Sequence, residues 1–298
     1  MSIFISPADR VIVQGITGTS GAFNAAQMRA DGTQIVAGVT PGKGGQTVAG
    51  VPVFNTIAEA QQALSKSGQK PATWTVGFVP AAFAKAAALE AIEAKLNTVV
   101  ITEHVPVHDT LAILAAAKQQ RVRAVGPNCP GLIVPGKKAT KLGIMPANVF
   151  APGPVGVVSR SGTLTYEVVS RLSTHGIGQS TCIGIGGDPI NLTSMQEVLL
   201  AFAKDPHTKL IILIGEIGGR MEEYVAETVI PKIKKPVVAF LAGRAAPLGT
   251  TLGHAGAIIE GKTGTIASKE RALKKAGVQV ASTLGDIVGL VHAILTRT

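Results

Sequence analysis

Five neighbouring apolar residues, Leu210-Ile211-Ile212-Leu213-Ile214, constrain the fold of this chain more than any other stretch. A strand with one face in water places a polar residue at every second position, whereas an unbroken run fits a strand covered on both faces. Comparable runs fall at 11–14, 34–39, 73–79, 98–102, 123–126, 155–159, 236–241 and 278–280. In the first half, helical stretches at 23–30, 56–65, 82–94 and 110–120 separate them, and Thr56 with Glu59 has the spacing of a capping box. Such alternation predicts an α/β fold with parallel, doubly wound sheets in both halves.

A length of 298 residues is natural for two domains rather than one. Pro130, Pro135, Pro146, Pro152 and Pro154 crowd the segment 128–154, which reads as an inter-domain linker with a short extended excursion. The expected division is therefore 1–130 and 131–298. Apolar residues make up 46% and charged residues 15%, which excludes a disordered chain. No apolar run reaches the ~18 residues of a membrane span. The opening Met1-Ser2-Ile3-Phe4-Ile5-Ser6-Pro7 shows neither signal-peptide nor transit-peptide pattern, so the expectation is a cytoplasmic protein with no membrane partner. The net charge of +10 sits in short lysine clusters, and aromatics are only 4%, which argues against nucleic acid. A polyphosphate ligand or an acidic partner accounts for the charge equally well. Cys129 and Cys182 have no metal-ligand spacing, and no metal is expected on this chain.

Gly15, Gly18 and Gly21 follow the first strand and open a helix. Backbone N–H groups and a helix N-terminus would then face an anion, with Thr17, Thr19 and Ser20 adding hydroxyls; the plainer reading is a tight turn. No carboxylate stands after the second strand to hold an NAD ribose. Thr40-Pro41-Gly42-Lys43-Gly44-Gly45 stands there instead, and it suits the phosphorylated adenosine of coenzyme A better. Ser161, Gly162 and Thr163 repeat the strand-to-helix arrangement as a second anion site. Gly253-His254-Ala255-Gly256 sets one imidazole among residues too small to hide it. That ring can be a nucleophile, or simply be satisfied by a backbone carbonyl in a glycine-rich turn. Glu216, at the end of the longest apolar run, could accept one imidazole N–H and fix the tautomer, or merely cap a helix.

With these residues in view, the chain resembles the alpha subunits of succinyl-CoA synthetases, nucleoside-diphosphate-forming acid–thiol ligases, from end to end. The resemblance rests on Gly15-Ile16-Thr17-Gly18, Thr40-Pro41-Gly42-Lys43-Gly44-Gly45, Pro52-Val53-Phe54-Asn55-Thr56 and Gly126-Pro127-Asn128-Cys129-Pro130-Gly131. It continues through Ser159-Arg160-Ser161-Gly162-Thr163-Leu164-Thr165-Tyr166-Glu167, Gly184-Ile185-Gly186-Gly187-Asp188-Pro189, Gly215-Glu216-Ile217-Gly218-Gly219 and Gly253-His254-Ala255-Gly256-Ala257-Ile258-Ile259.

The resemblance implies a Rossmann-like CoA-binding domain at 1–130 and a flavodoxin-like ligase domain with a phosphohistidine loop at 131–298. It implies that His254 is phosphorylated by ATP or GTP and that Glu216 orients it. Ser161, Gly162 and Thr163 would hold the phosphoryl group. Gly15, Thr17, Gly18, Thr19, Ser20, Lys43, Phe78, Val79, Pro80, Ile101, Thr102, Glu103 and Asn128 would contact CoA, and Tyr166 the dicarboxylate. A beta subunit with an ATP-grasp site would supply the nucleotide and Mg2+. Phe23-Asn24, Thr47-Val48, Ile190-Asn191-Leu192-Thr193 and Gly249-Thr250-Thr251-Leu252 depart from the family pattern. Malate or another dicarboxylate therefore stands beside succinate as the acid. A non-catalytic CoA-binding module and a dinucleotide-dependent oxidoreductase are the readings from other classes.

Overall fold

The computed structural model describes residues 2–244, 254, 256 and 263–297. Seven strands form the first sheet: β1 (Arg10–Gln14), β2 (Gln34–Val39), β3 (Thr47–Val48), β4 (Val51–Phe54), β5 (Trp74–Gly77), β6 (Asn97–Val100) and β7 (Ala124–Val125). Helices α1 (Thr19–Asp31), α2 (Ile57–Lys66), α3 (Ala81–Glu93) and α4 (Val107–Gln120) connect them. The spatial order is β3-β4-β2-β1-β5-β6-β7. Apart from β3, this is the 3-2-1-4-5-6 order of a Rossmann sheet, whose direction of winding reverses between β1 and β5.

The second sheet contains β8 (Gly131–Val134), β9 (Thr140–Gly143), β10 (Pro152–Ser159), β11 (Gln179–Gly184), β12 (Leu210–Glu216), β13 (Val237–Ala242) and β14 (Gln279–Ala281). Its helices are α5 (Gly162–Thr174), α6 (Met195–Lys204), α7 (Met221–Thr228), α8 (Ile266–Lys275) and α9 (Leu284–Leu295). The parallel strands run β14-β13-β12-β10-β11, the 2-1-3-4-5 order of flavodoxin, with the reversal between β10 and β12. Every residue of β12 is buried, as its unbroken apolar run requires.

Neither sheet is wholly parallel. The β3–β4 pair is antiparallel, and so are β8–β9 and β8–β11. The proline-crowded segment is thus not a free linker: it folds as a hairpin on the edge of the second sheet. The hairpin also seats against α1 of the first half. There Thr33 Oγ1 donates to the Lys141 carbonyl at 2.9 Å, and Lys141 Nζ lies 2.6 Å from Asp31. The capping-box expectation at α2 is met by half: Thr56 accepts from Glu59 N at 3.1 Å, but the Glu59 carboxylate accepts from Asn55 N. One apolar cluster runs through both halves, from Val11 and Trp74 to Leu199 and Phe202. No helix among the described residues is long and apolar enough to cross a membrane.

Candidate active site

Each sheet opens a crevice at the end of its central strands, where winding reverses and ligands collect in open α/β folds. In the first sheet, Gly15 turns the chain out of β1 at φ +75°, and a Cβ there would lie 2.5 Å from the Phe78 carbonyl oxygen. Only glycine allows this approach, which brings the β1 loop onto the β5 loop. Beside them is a cavity of about 770 Å³ lined by Gly15, Thr17, Gly18, Phe78, Val79 and Pro80, all expected from the sequence. Thr40, from the loop expected to suit the adenosine, also lines it, as do Asn55, Phe83 and Glu90, to which no role was given. Glu90 reaches across from α3 to accept from Ile57 N at 2.8 Å, fixing one wall. Thr19 and Ser20 open α1, and Lys43 stands exposed on the turn after β2. None of these three lines the cavity.

Ile101, Glu103 and Asn128 belong elsewhere. With Cys129, Ser161, Gly162, Thr163, Tyr166 and His254 they line a second cavity of about 220 Å³ between the strand ends of the two sheets. Thr102 links the two cavities: its hydroxyl donates to the Val79 carbonyl at 2.7 Å, and its own carbonyl accepts from Asn128 N at 2.9 Å. Asn128 then donates its side-chain amide to Asp188 Oδ1 at 2.9 Å.

His254 is half-buried, with Nδ1 2.6 Å from Glu216 Oε2. The hydrogen bond to Glu216 raises the imidazole pKa above its ordinary value; burial and Arg160 oppose it, and Asp188 adds to it. A ring bonded through Nδ1–H presents a free Nε2. Gly187 makes room for it, since a Cβ there would fall 2.2 Å from Cγ of the imidazole. Gly253, Ala255 and residues 257–259 of the same motif, and residues 249–252, lie outside the described residues.

The register Ser159↔Ile214 sets the residue after β10 beside the end of β12. That residue, Arg160, is 3% exposed, 3.1 Å from Glu216 Oε1 and 3.3 Å from Glu222 Oε1. Sequence reasoning gave it no role, although a charge abutting a buried apolar strand is itself a signal, because buried charges require partners. Asp188 was missed in the same way. Ser161 caps α5, accepting from Leu164 N at 3.3 Å, so Gly162 and Thr163 carry that helix's first N–H groups at the cavity. The Tyr166 hydroxyl is buried with no hydrogen-bond partner among the described residues, and burial pushes its pKa up to about 12. Burial does the same to the Cys129 thiol. Among the described residues no cluster of His, Cys, Asp and Glu has the makings of a metal site.

A Rossmann crevice beside a flavodoxin-type sheet, with a histidine held by the carboxylate that ends β12, fits a CoA-binding ligase. The family described as CoA binding domain matches residues 7–104, and the family described as CoA-ligase matches residues 158–279. A Staphylococcus aureus protein named succinate–CoA ligase (ADP-forming) subunit alpha is 48% identical over 99% of this chain and 99% of its own length. A second protein of that name, from another strain, is 50% identical over 96% of this chain and 93% of its own. The chain belongs to the family of succinate–CoA ligase alpha subunits. Among solved structures, ATP citrate lyase from Methanothrix soehngenii, in complex with citrate and coenzyme A, superposes with a TM-score of 0.85 at 26% identity. That match takes in 99% of this chain, which spans about half (51%) of the lyase chain.

Proposed function

We propose that this chain is the alpha subunit of a succinate–CoA ligase that, with a beta subunit, forms succinyl-CoA reversibly from succinate, CoA and ATP or GTP. The observation that carries the reading is the 2.6 Å contact of His254 with Glu216 at a cavity lined from both sheets. A carboxylate and a thiol do not condense in water, so the acid needs activation. Nε2 of His254 attacks the terminal phosphorus of the nucleotide, and the diphosphate leaves. The succinate carboxylate then takes the phosphoryl group, freeing the ring, and the CoA thiolate displaces phosphate from the acyl phosphate. A covalent phosphohistidine divides one difficult step into two.

Residues 1–130 serve CoA in this scheme and residues 131–298 serve phosphoryl transfer. Gly15, Thr17, Gly18, Phe78, Val79 and Pro80 receive CoA, with Thr19, Ser20 and Lys43 at the phosphate-bearing rim. Ile101, Thr102, Glu103 and Asn128 carry its thiol end toward His254. Gly162 and Thr163, with Ser161 as cap, present the α5 N-terminus to the phosphoryl oxygens, which helix N–H groups stabilise without moving a proton. Tyr166 meets the acid. The beta subunit, of ATP-grasp type, brings the nucleotide with Mg2+.

The test is thioester formation by this chain co-expressed with its beta subunit, with succinate and malate compared as acids. Turnover with succinate, lost in His254→Asn while CoA affinity persists, is the expected result. Undiminished turnover in His254→Asn overturns the mechanism. Tight CoA binding with no turnover on any acid points instead to a CoA-binding module.

A further inference from the structure

Behind Glu216 lies a cluster of buried charges that the chemistry above leaves unused. Arg160 bridges Glu216 and Glu222. Glu222, on α7, is ion-paired with Lys269 of α8, and both side chains are 0% exposed. Lys269 is also 3.3 Å from Glu223 Oε2. Burial alone would raise the Glu222 pKa, but Lys269 and Arg160 outweigh it and hold the group below its ordinary range. Ionic clusters like this seldom stabilise a core better than apolar side chains of the same volume.

The position of the cluster is informative. Its hydrogen bonds end on the turn between β12 and α7 and on the residue where the chain returns from the His254 loop. Arg160 Nη1 donates to the Gly218 carbonyl at 3.2 Å, and Lys269 Nζ to the Gly219 carbonyl at 3.1 Å. Gly264 N, where the chain returns from the loop, donates to Glu223 Oε1 at 3.1 Å. A Cβ at Gly256 would lie 3.0 Å from Arg160 Nη2, so the guanidinium lies directly against the loop itself.

We propose that Arg160, Glu222 and Lys269 form a positioning relay that aims the Glu216 carboxylate at His254 and sets the local charge against which the ring is phosphorylated. The proposal rests on the phosphohistidine reading above. Two cations against three carboxylates leave the cluster one net negative charge. A ring phosphorylated at Nε2 and protonated at Nδ1 is a cation, which that charge matches. When the phosphoryl group departs, the P–N electron pair returns to Nε2 and the ring leaves as neutral imidazole, because the proton stays on Nδ1, hydrogen-bonded to the Glu216 carboxylate. Among the described residues, the charged or titratable groups facing the ring are Glu216 from β12, Arg160 from the β10–α5 loop, Asp188 after β11, Tyr166 from α5, and Glu103 and Cys129 from the first half.

The experiment measures the pH dependence of His254 labelling by nucleoside triphosphate in the complex with the beta subunit. Glu222→Gln keeps the shape and removes one negative charge. Its acid limb, where the ring must lose a proton to attack, should move to lower pH, with labelling at one fixed pH on that limb raised about threefold or more relative to its own plateau. The double variant Glu222→Gln/Lys269→Met restores the net charge and should bring the limb back. A merely structural cluster lowers the plateau in both variants and leaves the limb in place, and that result overturns the relay. If Glu222→Gln melts below the assay temperature, Glu223→Gln removes one charge from the edge of the same cluster and must move the limb in the same direction. An unmoved limb there overturns the proposal equally. Absence of label in the unsubstituted complex is a different outcome, which removes the phosphohistidine reading and the relay with it.

Discussion

Gly187→Ala should disable His254 while leaving the fold and the CoA site intact. The added methyl would stand 2.2 Å from Cγ, 2.3 Å from Nδ1 and 2.6 Å from Cδ2 of the imidazole, where ordinary contact begins at 3.4 Å. The glycine cannot retreat easily, since its N–H donates to the Asn128 carbonyl and its carbonyl accepts from Gly256 N at 3.1 Å. It has no left-handed φ, so alanine fits the backbone itself. The ring must therefore move by about 1.2 Å, enough to stretch a 2.6 Å contact with Glu216 past hydrogen-bond range. A misplacement of ~1 Å costs roughly 10²-fold in rate, or about 2.7 kcal/mol of barrier. Single-turnover labelling of His254 in the complex with the beta subunit is the assay, with melting temperature and CoA calorimetry as controls. Labelling within about threefold of the unsubstituted protein would refute the argument from the close approach, since the loss at stake is ~10²-fold.

Glu216→Gln removes the largest influence raising the His254 pKa. Because the protonated ring cannot attack, the acid limb of labelling should shift toward lower pH and the plateau should fall; a limb that moves to higher pH contradicts the assigned hydrogen bond. Phe83 is 63% exposed yet lines the first cavity, so Phe83→Ala should weaken CoA binding about fivefold, on the order of 1 kcal/mol, with no change in melting temperature. Calorimetry decides it, and unchanged affinity would remove Phe83 from the CoA site. Ser194→Ala breaks the reciprocal cap in which Ser194 Oγ accepts from Glu197 N at 3.2 Å and the Glu197 carboxylate accepts from Ser194 N at 2.8 Å. It should cost about 1 kcal/mol in chemical denaturation without touching CoA affinity.

The strands most legible in the sequence were those buried on both faces, such as β12, because only an apolar run satisfies two covering layers. Both switch-point loops were legible too, since glycines and hydroxyls directly after a strand have few other uses. Strand β11, Gln-Ser-Thr-Cys-Ile-Gly, escaped notice because its polar residues are satisfied by tertiary partners, such as Thr181 accepting from Ile3 N. Prolines disguised the β8–β9 hairpin, although Pro130, Pro135 and Pro146 lie outside its two strands and interrupt neither of them. The Glu216–His254 pair was visible as a chemical possibility, but its Arg160 and Lys269 supports were not. Lys269 stands among Ser268, Glu270 and Arg271 in a helix that reads as solvated, and only its four-residue spacing from buried Leu273 hints that it faces inward. Asn128, read as a CoA contact, also donates its amide to Asp188 beside the histidine cavity. That pairing joins loops of two sheets, and no local pattern encodes it.

The central claim is that His254 carries the phosphoryl group. The measurement that tests it most directly treats the complex of this chain and its beta subunit with labelled ATP or GTP, then maps the label by mass spectrometry under alkaline conditions. The account predicts acid-labile, base-stable phosphate on His254, absent from His254→Asn and discharged by succinate with CoA. A complex that makes the thioester with no phosphate on His254, or with phosphate on another residue, contradicts it.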